Sequence, residues 1–295
     1  MSDKTLRKIK SVHTYFITED HPEGGILSGM QLQDEQGNLL RDEQYNFNGD
    51  LEQKIERHFD AENRLLEEKH YTSEKEPHQV ITHTYHPEGK LANSKVQYQS
   101  GAHSITQYEY DLAAKQETIT TLDEKGQIEE KIVLQFDNEG RVLEETQFGA
   151  DGVFEQKVTA SYTEAGRPLE KTFQQGEEPA YTHYFDYEFD EEGRVNYAEV
   201  FDVEEDLIRT DEIDYDEQGN RVEVRMKHYA NGWSVIDRYD YDEQRRVVKE
   251  ERLQGDGQPL EIKEYRYNAD NLVEEEEVRD RAGIRINRFA YTFFS

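Results

Sequence analysis

Apolar and polar residues alternate along most of this chain. In Val222-Glu223-Val224-Arg225-Met226-Lys227 every second side chain is apolar and the others are charged. Tyr239-Asp240-Tyr241 and Tyr265-Arg266-Tyr267 repeat the pattern. A period of two predicts β-strands with one dry face and one wet face. The alternating runs are short, because turn signals such as Asn48-Gly49, Asp151-Gly152, Asn231-Gly232 and Asp256-Gly257 interrupt them. Asn-Gly and Asp-Gly between apolar residues are strong hairpin signals. Turns this frequent would cut any helix short, so the pattern predicts an all-β chain.

The hairpins recur in register. One aromatic position falls at Phe59, Tyr85, Tyr110, Phe136, Tyr162, Phe189, Tyr215, Tyr241 and Tyr267, each 25 to 27 residues after the last. Asp or Asn follows it in most copies, as in Phe136-Asp137-Asn138-Glu139-Gly140-Arg141-Val142. Asp at the start of such a turn accepts hydrogen bonds from backbone amides further along, and Gly three positions later supplies a positive φ. Asp34-Glu35-Gln36-Gly37-Asn38-Leu39 is an earlier copy with Gln33 at the aromatic position, as an atypical terminal repeat would have. A second apolar column sits half a period away, at Tyr45, Tyr71, Tyr98, Leu122, Phe148, Phe173, Phe201, Tyr229, Leu253 and Val278. Each unit of about 26 residues therefore holds two strands and two turns.

Tandem hairpins with short connections pair with their neighbours, which predicts a long antiparallel meander of roughly twenty strands. Such a sheet must twist and cover its apolar face, so it is expected to curl into a spiral, a trough or an open barrel. The chain divides into an N-terminal cap at 1–29, the hairpin array at 30–280, and a closing strand at 281–295. The last contains the aromatic run Phe289-Ala290-Tyr291-Thr292-Phe293-Phe294. The two aromatic columns read as the sheet's dry face, and so as core.

The strings Tyr239-Asp240-Tyr241-Asp242-Glu243-Gln244-Arg245-Arg246-Val247 and Tyr187-Glu188-Phe189-Asp190-Glu191-Glu192-Gly193-Arg194-Val195 resemble the Tyr-x-Tyr-Asp-x-x-Gly-Arg-Leu mark of the YD-repeat, or RHS-repeat, proteins of bacteria. Tyr108-Glu109-Tyr110-Asp111 and Tyr265-Arg266-Tyr267-Asn268 match its first half. The resemblance spans about residues 30 to 290. It implies a tandem β-hairpin architecture; large members form a spiral β-shell that encloses a toxin, and with about ten units this chain is too short for such a shell. This chain departs from them in its longer period and in lacking the family's C-terminal core segment and appended toxin domain.

Composition supports a shape with much surface. Hydrophobic residues make up 34% of the 295 residues, against the ~45–50% usual in globular domains. Disorder is excluded for most of the chain by 19 Tyr and 13 Phe in periodic positions. The formal net charge is −31, which disfavours nucleic acid and favours a partner with a basic surface. Cys is absent, so thiolate and disulfide chemistry are excluded. Lys4, Arg7, Lys8 and Lys10 precede no apolar run of signal-peptide length, and no stretch has the length of a membrane-spanning helix. The expectation is a cytoplasmic protein with no membrane insertion, export by another route aside.

Little in the chain points to chemistry. No Gly-x-Ser-x-Gly occurs, and 66 acidic residues make any carboxylate pair uninformative. His83 and His86 flank Tyr85 without an evident third ligand, so they read as ordinary histidines. Asp137-Asn138-Glu139-Gly140 and Asp123-Glu124-Lys125-Gly126 are acidic but lack calcium-loop ligand spacing, and read as plain turns. Glu274 to Glu277 reads as a partly solvated edge. Neither a metal nor a cofactor is expected. Trp233, the single Trp, sits just past the Asn231-Gly232 turn and is the candidate contact residue. The function expected is non-catalytic: a protein-binding or scaffold protein with an extended acidic surface, a class that includes an immunity or chaperone partner of a toxin. The alternative is a carbohydrate- or cell-surface-binding repeat module.

Overall fold

A computed structural model of the chain describes residues 8–18, 21–72 and 75–294. Lys4, Arg7 and the rest of residues 1–7 of the expected N-terminal cap lie outside the described residues, as does the side chain of Asp151.

Among the described residues twenty-two strands follow one another. They are β1 (Ile9–Thr18), β2 (His21–Gln33), β3 (Leu39–Tyr45), β4 (Leu51–Phe59), β5 (Leu65–Tyr71), β6 (Gln79–Tyr85), β7 (Leu91–Tyr98) and β8 (His103–Asp111). Then come β9 (Gln116–Leu122), β10 (Ile128–Phe136), β11 (Val142–Phe148), β12 (Phe154–Tyr162), β13 (Pro168–Gln175), β14 (Tyr181–Phe189) and β15 (Val195–Phe201). The last seven are β16 (Leu207–Tyr215), β17 (Arg221–His228), β18 (Ser234–Tyr241), β19 (Val247–Gln254), β20 (Pro259–Tyr267), β21 (Val273–Asp280) and β22 (Gly283–Phe293).

Each strand pairs antiparallel with the next, and β22 pairs with β1. That final ladder matches Thr14 with Phe289 and Val12 with Tyr291. It is fastened by the Ser11 and Thr292 hydroxyls at 2.7 Å, and by the Phe294 amide donating to the Lys8 carbonyl at 3.0 Å. The meander is thus a closed barrel. The expected meander of roughly twenty strands curled on itself is what the chain forms, and of the shapes open to it this ladder selects a barrel and closes it. Closure leaves no strand with a row of unpaired amides and carbonyls, the liability every open form would keep. The ladders of β21 with β20 and β22 correct the reading of Glu274 to Glu277 as an edge. In β21 they lie between two paired strands, with Glu275 held by Arg266 at 2.9 Å and Arg288 at 2.8 Å.

Residues opposite one another in a ladder share a face, so sidedness can be followed around the barrel. One face joins Ile81 to Val96, Ile119 to Ile132, Phe185 to Val200 and Ile213 to Val224. The other joins Glu212 to Arg225, Glu223 to Arg238 and Arg266 to Glu275. Solvent reaches the second face more: Asp186, Glu188, Glu212, Asp214, Arg225 and Arg238 on it are exposed, whereas Phe185, Tyr187, Ile213, Val224 and Tyr239 on the first are half-buried. That face lines the lumen. The charge-paired face is outside.

The barrel is hollow. Twenty-two strands at ~4.8 Å give a girth of ~105 Å and a radius of ~17 Å, which strand tilt enlarges. Side chains reach ~5 Å inward, so roughly 24 Å stays open across. The accessible surface is 19042 Å² at 34.8 kDa, where a compact monomer of that mass exposes ~13,000 Å². Among the described residues only Tyr71, Val200, Leu253 and Val278 are buried hydrophobics, and no large side chain is fully buried. The expectation that the nine aromatics are core is corrected accordingly. Eight are half-buried and Phe189 is 48% exposed, because no second layer packs against them.

What holds these rings is a clasp between repeats. Asp190 Oδ1 accepts the amides of Glu192 at 3.1 Å and Arg194 at 2.8 Å, and Gly193 takes the positive φ of 76° that closes the turn. Asp190 Oδ2 takes Arg194 Nε at 2.6 Å. Burial raises the Asp190 carboxyl, but the amide and guanidinium bonds outweigh it and hold the group below the usual carboxylate range. The oriented guanidinium then lies 4.4 Å from the centre of the Tyr215 ring, one repeat on. The Tyr215 hydroxyl reaches back to donate to the Val195 carbonyl at 2.9 Å. The same chain links Asp60, Arg64 and Tyr85, then Asp137, Arg141 and Tyr162, then Asp242, Arg246 and Tyr267. Each letter of the Tyr-Asp-x-x-Gly-Arg motif has a task in it.

The clasp also explains an irregularity. Phe189 has no hydroxyl, and Tyr187, two residues earlier, donates instead to the Pro168 carbonyl at 3.0 Å. Phe293 and Tyr291 repeat the exchange, with Tyr291 donating to Val273 at 2.7 Å. Tyr239 stands where Tyr187 does, but Tyr241 already makes the bond, to the Arg221 carbonyl at 2.8 Å. Tyr187→Phe and Tyr267→Phe should therefore each cost about 1 kcal/mol, the worth of one net hydrogen bond, whereas Tyr239→Phe should cost much less. Urea unfolding of the three variants checks this, and an equal loss at Tyr239 would contradict the assignment.

Candidate functional site

The inner wall across β13 to β17 carries the densest set of polar groups set among apolar ones. Ladder register places Lys171 opposite His183, Phe185 opposite Val200, Tyr187 opposite Ala198, and Arg209 between Val200 and His228. They line a recess of about 450 Å³, within the range of small-molecule sites. Its floor is Phe173, Phe185, Ala198 and Val200. Phe173 is stacked on Tyr181 at 5.2 Å and tilted against His183 at 5.5 Å. Arg209 Nη2 meets Asp211 Oδ2 at 2.8 Å.

The bonding at this wall is incomplete. Seven buried side-chain polar atoms among the described residues have no hydrogen-bond partner. Four of them stand here: Arg209 Nε, Asp211 Oδ1, His228 Nδ1 and, two residues from Ala198 on the same face, Asn196 Oδ1. A buried polar atom left unpaired costs free energy, so such a concentration needs an explanation. Burial lowers His183, Asp202 opposes that, and His228 and Arg209 reinforce it, so the imidazole is held below its ordinary value.

The outside of the same wall is acidic. Asp186 and Glu188 of β14, Glu199 of β15, and Glu212 and Asp214 of β16 share the outer face. Arg225 reaches Glu212 at 3.4 Å and Asp214 at 3.2 Å. Asp186, Glu188 and Glu199 have no cation at ion-pair distance among the described residues; Glu199 instead accepts the Tyr197 hydroxyl at 2.9 Å. Burial and that carboxylate push Tyr197 up to about 12. Beside this patch, Tyr184, Phe201, Asp202, Val203 and Glu205 line an outer recess of about 520 Å³, with Tyr184 42% exposed.

Trp233, the residue singled out from the sequence, sits in the β17–β18 turn and stacks on His228, 6.2 Å between centroids and 23° between planes. It therefore adjoins the inner recess. His83 and His86 are not brought together. His83 lies on the inner face with Nδ1 2.8 Å from Ser94 Oγ, while His86 turns its Nε2 to the Tyr108 carbonyl at 3.1 Å. Asp123 and Asp137 use Oδ1 on the amides of their own turns. Among the described residues no group of three or more His, Cys, Asp and Glu could hold a metal ion. Sequence reading missed Arg209, Asp211, His183 and His228. Arg209 stands one 26-residue period after His183, a signal visible only once the register is known.

No family model matches the chain, and no curated protein does. Among solved structures it is similar to TcdB2-TccC3-Cdc42, at 13% identity and a TM-score of 0.23 over 91% of this chain; it spans only 23% of that one. It is also similar to a porin-like protein from Bacteroides uniformis, at 9% identity and a TM-score of 0.31, covering 96% of this chain and 98% of that one. A beta-barrel-like protein of a domain of unknown function from Brucella abortus matches at 9% identity and a TM-score of 0.17, over 97% of this chain and 99% of that one. None of these matches assigns a residue or an activity to this chain.

The lumen face makes a prediction about protons. Burial lowers both His83 and His183, against the opposing charges of Glu68 and Asp202. A histidine whose folded value is depressed is neutral in the fold but protonated when unfolded, so stability falls as pH drops below the unfolded value of ~6.5. Imidazole NMR should show both titrating below ~6.5. Titration at or above that value would place them in open solvent.

Proposed function

We propose that this chain is a short YD-repeat barrel that acts without catalysis, binding a protein partner of basic surface through its outer face. The observation that carries the reading is the patch of β14 to β16, where Asp186, Glu188 and Glu199 have no cationic partner among the described residues. On other strands outer carboxylates are often paired, as Glu275 is with Arg266 and Arg288 and Glu223 with Arg238, and among the described residues Glu109 and Asp240 stand unpaired singly rather than as a cluster of three. An unneutralised patch on a chain of net charge −31 steers basic proteins toward it and repels nucleic acid. An immunity or chaperone role beside a toxin belongs to this class. The clasp supports the family reading, since it uses every fixed position of the YD motif. Membrane insertion is disfavoured by the same surface. A spanning barrel needs an apolar outer band ~25 Å tall, and here charged pairs such as Glu212–Arg225 and Glu223–Arg238 interrupt the outer face within the strands.

A second reading, carbohydrate binding, has one observation in its favour: Tyr184 beside Phe201 with Asp202 and Glu205 in the outer recess. Exposed rings flanked by carboxylates suit a sugar's apolar face and hydroxyls.

Salt separates the two. With cytochrome c as a basic probe, affinity should drop at least tenfold between ~0.05 M and ~0.5 M salt, where the Debye length shrinks to ~4 Å. Asp186→Asn combined with Glu188→Gln and Glu199→Gln should remove most of the low-salt binding. A flat salt response would contradict the charge reading, and salt-independent retention on a polysaccharide matrix would favour the second.

A further inference from the structure

We infer that the inner recess of β13 to β17 is a binding site for a small organic anion with a flat apolar body. The first ground is local charge. The chain as a whole carries −31, yet this stretch of lumen presents Lys171, His183, Arg209 and His228 against one carboxylate, Asp211. The contrast with the adjoining inner wall is sharp, since β18 to β20 present Asp237, Glu250 and Glu261 against Arg252 and Lys263.

The second ground is unused bonding capacity. Arg209 gives Nη2 to Asp211, but its Nε is buried without an acceptor. His228 Nδ1 is likewise buried and unpaired. The side chains of Lys171 and His183 make no hydrogen bond or ion pair among the described residues. Donors thus converge from two pairs of strands, β13 with β14 and β16 with β17, on either side of the apolar Ala198 and Val200 of β15, and an anionic group there would serve more than one of them. Charge-assisted bonds of this kind are the stronger ones.

The third ground is shape. Phe173, Phe185 and Val200 make an apolar floor, and Tyr181 and Trp233 flank it with rings. The volume of about 450 Å³ suits one ligand of two or three fused or linked rings. The inference is independent of what binds outside, because the donors face the lumen.

The test uses two dyes of nearly equal shape on the intact chain. One is 8-anilinonaphthalene-1-sulfonate, an anion; the other is N-phenyl-1-naphthylamine, which is neutral. A protein of this net charge should repel the anion in general, so a preference for the anionic dye can arise only from a local cationic site. The expected result is one tight site for the sulfonate, quenching of Trp233 fluorescence on binding, and weaker binding of the neutral dye. Lys171→Gln with Arg209→Gln should weaken the sulfonate at least tenfold, as loss of charged hydrogen bonds does, and leave the neutral dye unchanged. Arg252→Gln, on the neighbouring wall, should have no effect on either. The inference is overturned if the neutral dye binds the native protein as tightly as the sulfonate. It is equally overturned if the folded double variant keeps full affinity for the sulfonate. The dye comparison on native protein decides the matter even where the variant does not fold.

Discussion

The ladder between β1 and β22 is the constraint from which the rest of the structure follows. A meander of amphipathic hairpins has one drier face and no second layer to put against it. Left open, it would expose that face and two edge strands. Pairing the last strand with the first removes both edges and turns the drier face inward. The cost is a lumen that the side chains do not fill, and hence a chain with almost no conventional core. Stability must then come from the hydrogen-bonded ladders themselves and from contacts that tie each hairpin to the next.

The Asp–Arg–Tyr clasp is that tie, and it is local and repeated. Asp190 fixes the turn, the turn fixes Arg194, Arg194 covers the Tyr215 ring, and the Tyr215 hydroxyl returns to Val195. Each hairpin therefore contacts mainly its neighbours, as in other repeat arrays. Where a repeat lacks an element, a nearby residue supplies it. Tyr187 stands in for Phe189, and Arg245, at a φ of 63° in the glycine position, adds bonds to Asn220 and Gln218 of the preceding turn. The outcome is a wall with independent chemistry on its two sides. Between β13 and β17 it is acidic outside and cationic inside, and strand alternation alone makes this separation feasible.

The strands, their turns and the 26-residue period were legible in the sequence because each is a local property. The Asp190-to-Gly193 turn can be read from four letters. A closing strand at 281–295 was legible from its aromatic run, but not its partner, since β1 and β22 are joined by a register that no motif announces. The aromatic columns were legible as a pattern; the second supplies Tyr71, Leu253 and Val278, three of the four buried hydrophobics among the described residues, while the first was read as core and is only half-buried. A Tyr in a period-two strand looks like a buried residue, but here one ring face meets a guanidinium and the hydroxyl meets a carbonyl. The acidic run in β21 was misread for a related reason: an edge and a paired strand look alike until the neighbour is known. The inner recess depends on Lys171, His183, Arg209 and His228 meeting across adjacent strands, and only the register brings them together.

Closure itself is open to a direct test, because the chain contains no Cys. His13 and Ala290 are ladder partners 277 residues apart, with 290 − 13 giving the separation. Directly opposed positions bring Cβ atoms to ~4.5–5.5 Å, close enough for a disulfide with slight adjustment. In a His13→Cys, Ala290→Cys variant, mild oxidation of dilute monomer should form an intramolecular disulfide nearly completely, seen as a thiol-sensitive shift in gel mobility. Persistently free thiols, or cross-links only between chains, would show that β1 and β22 are apart and that the barrel is open.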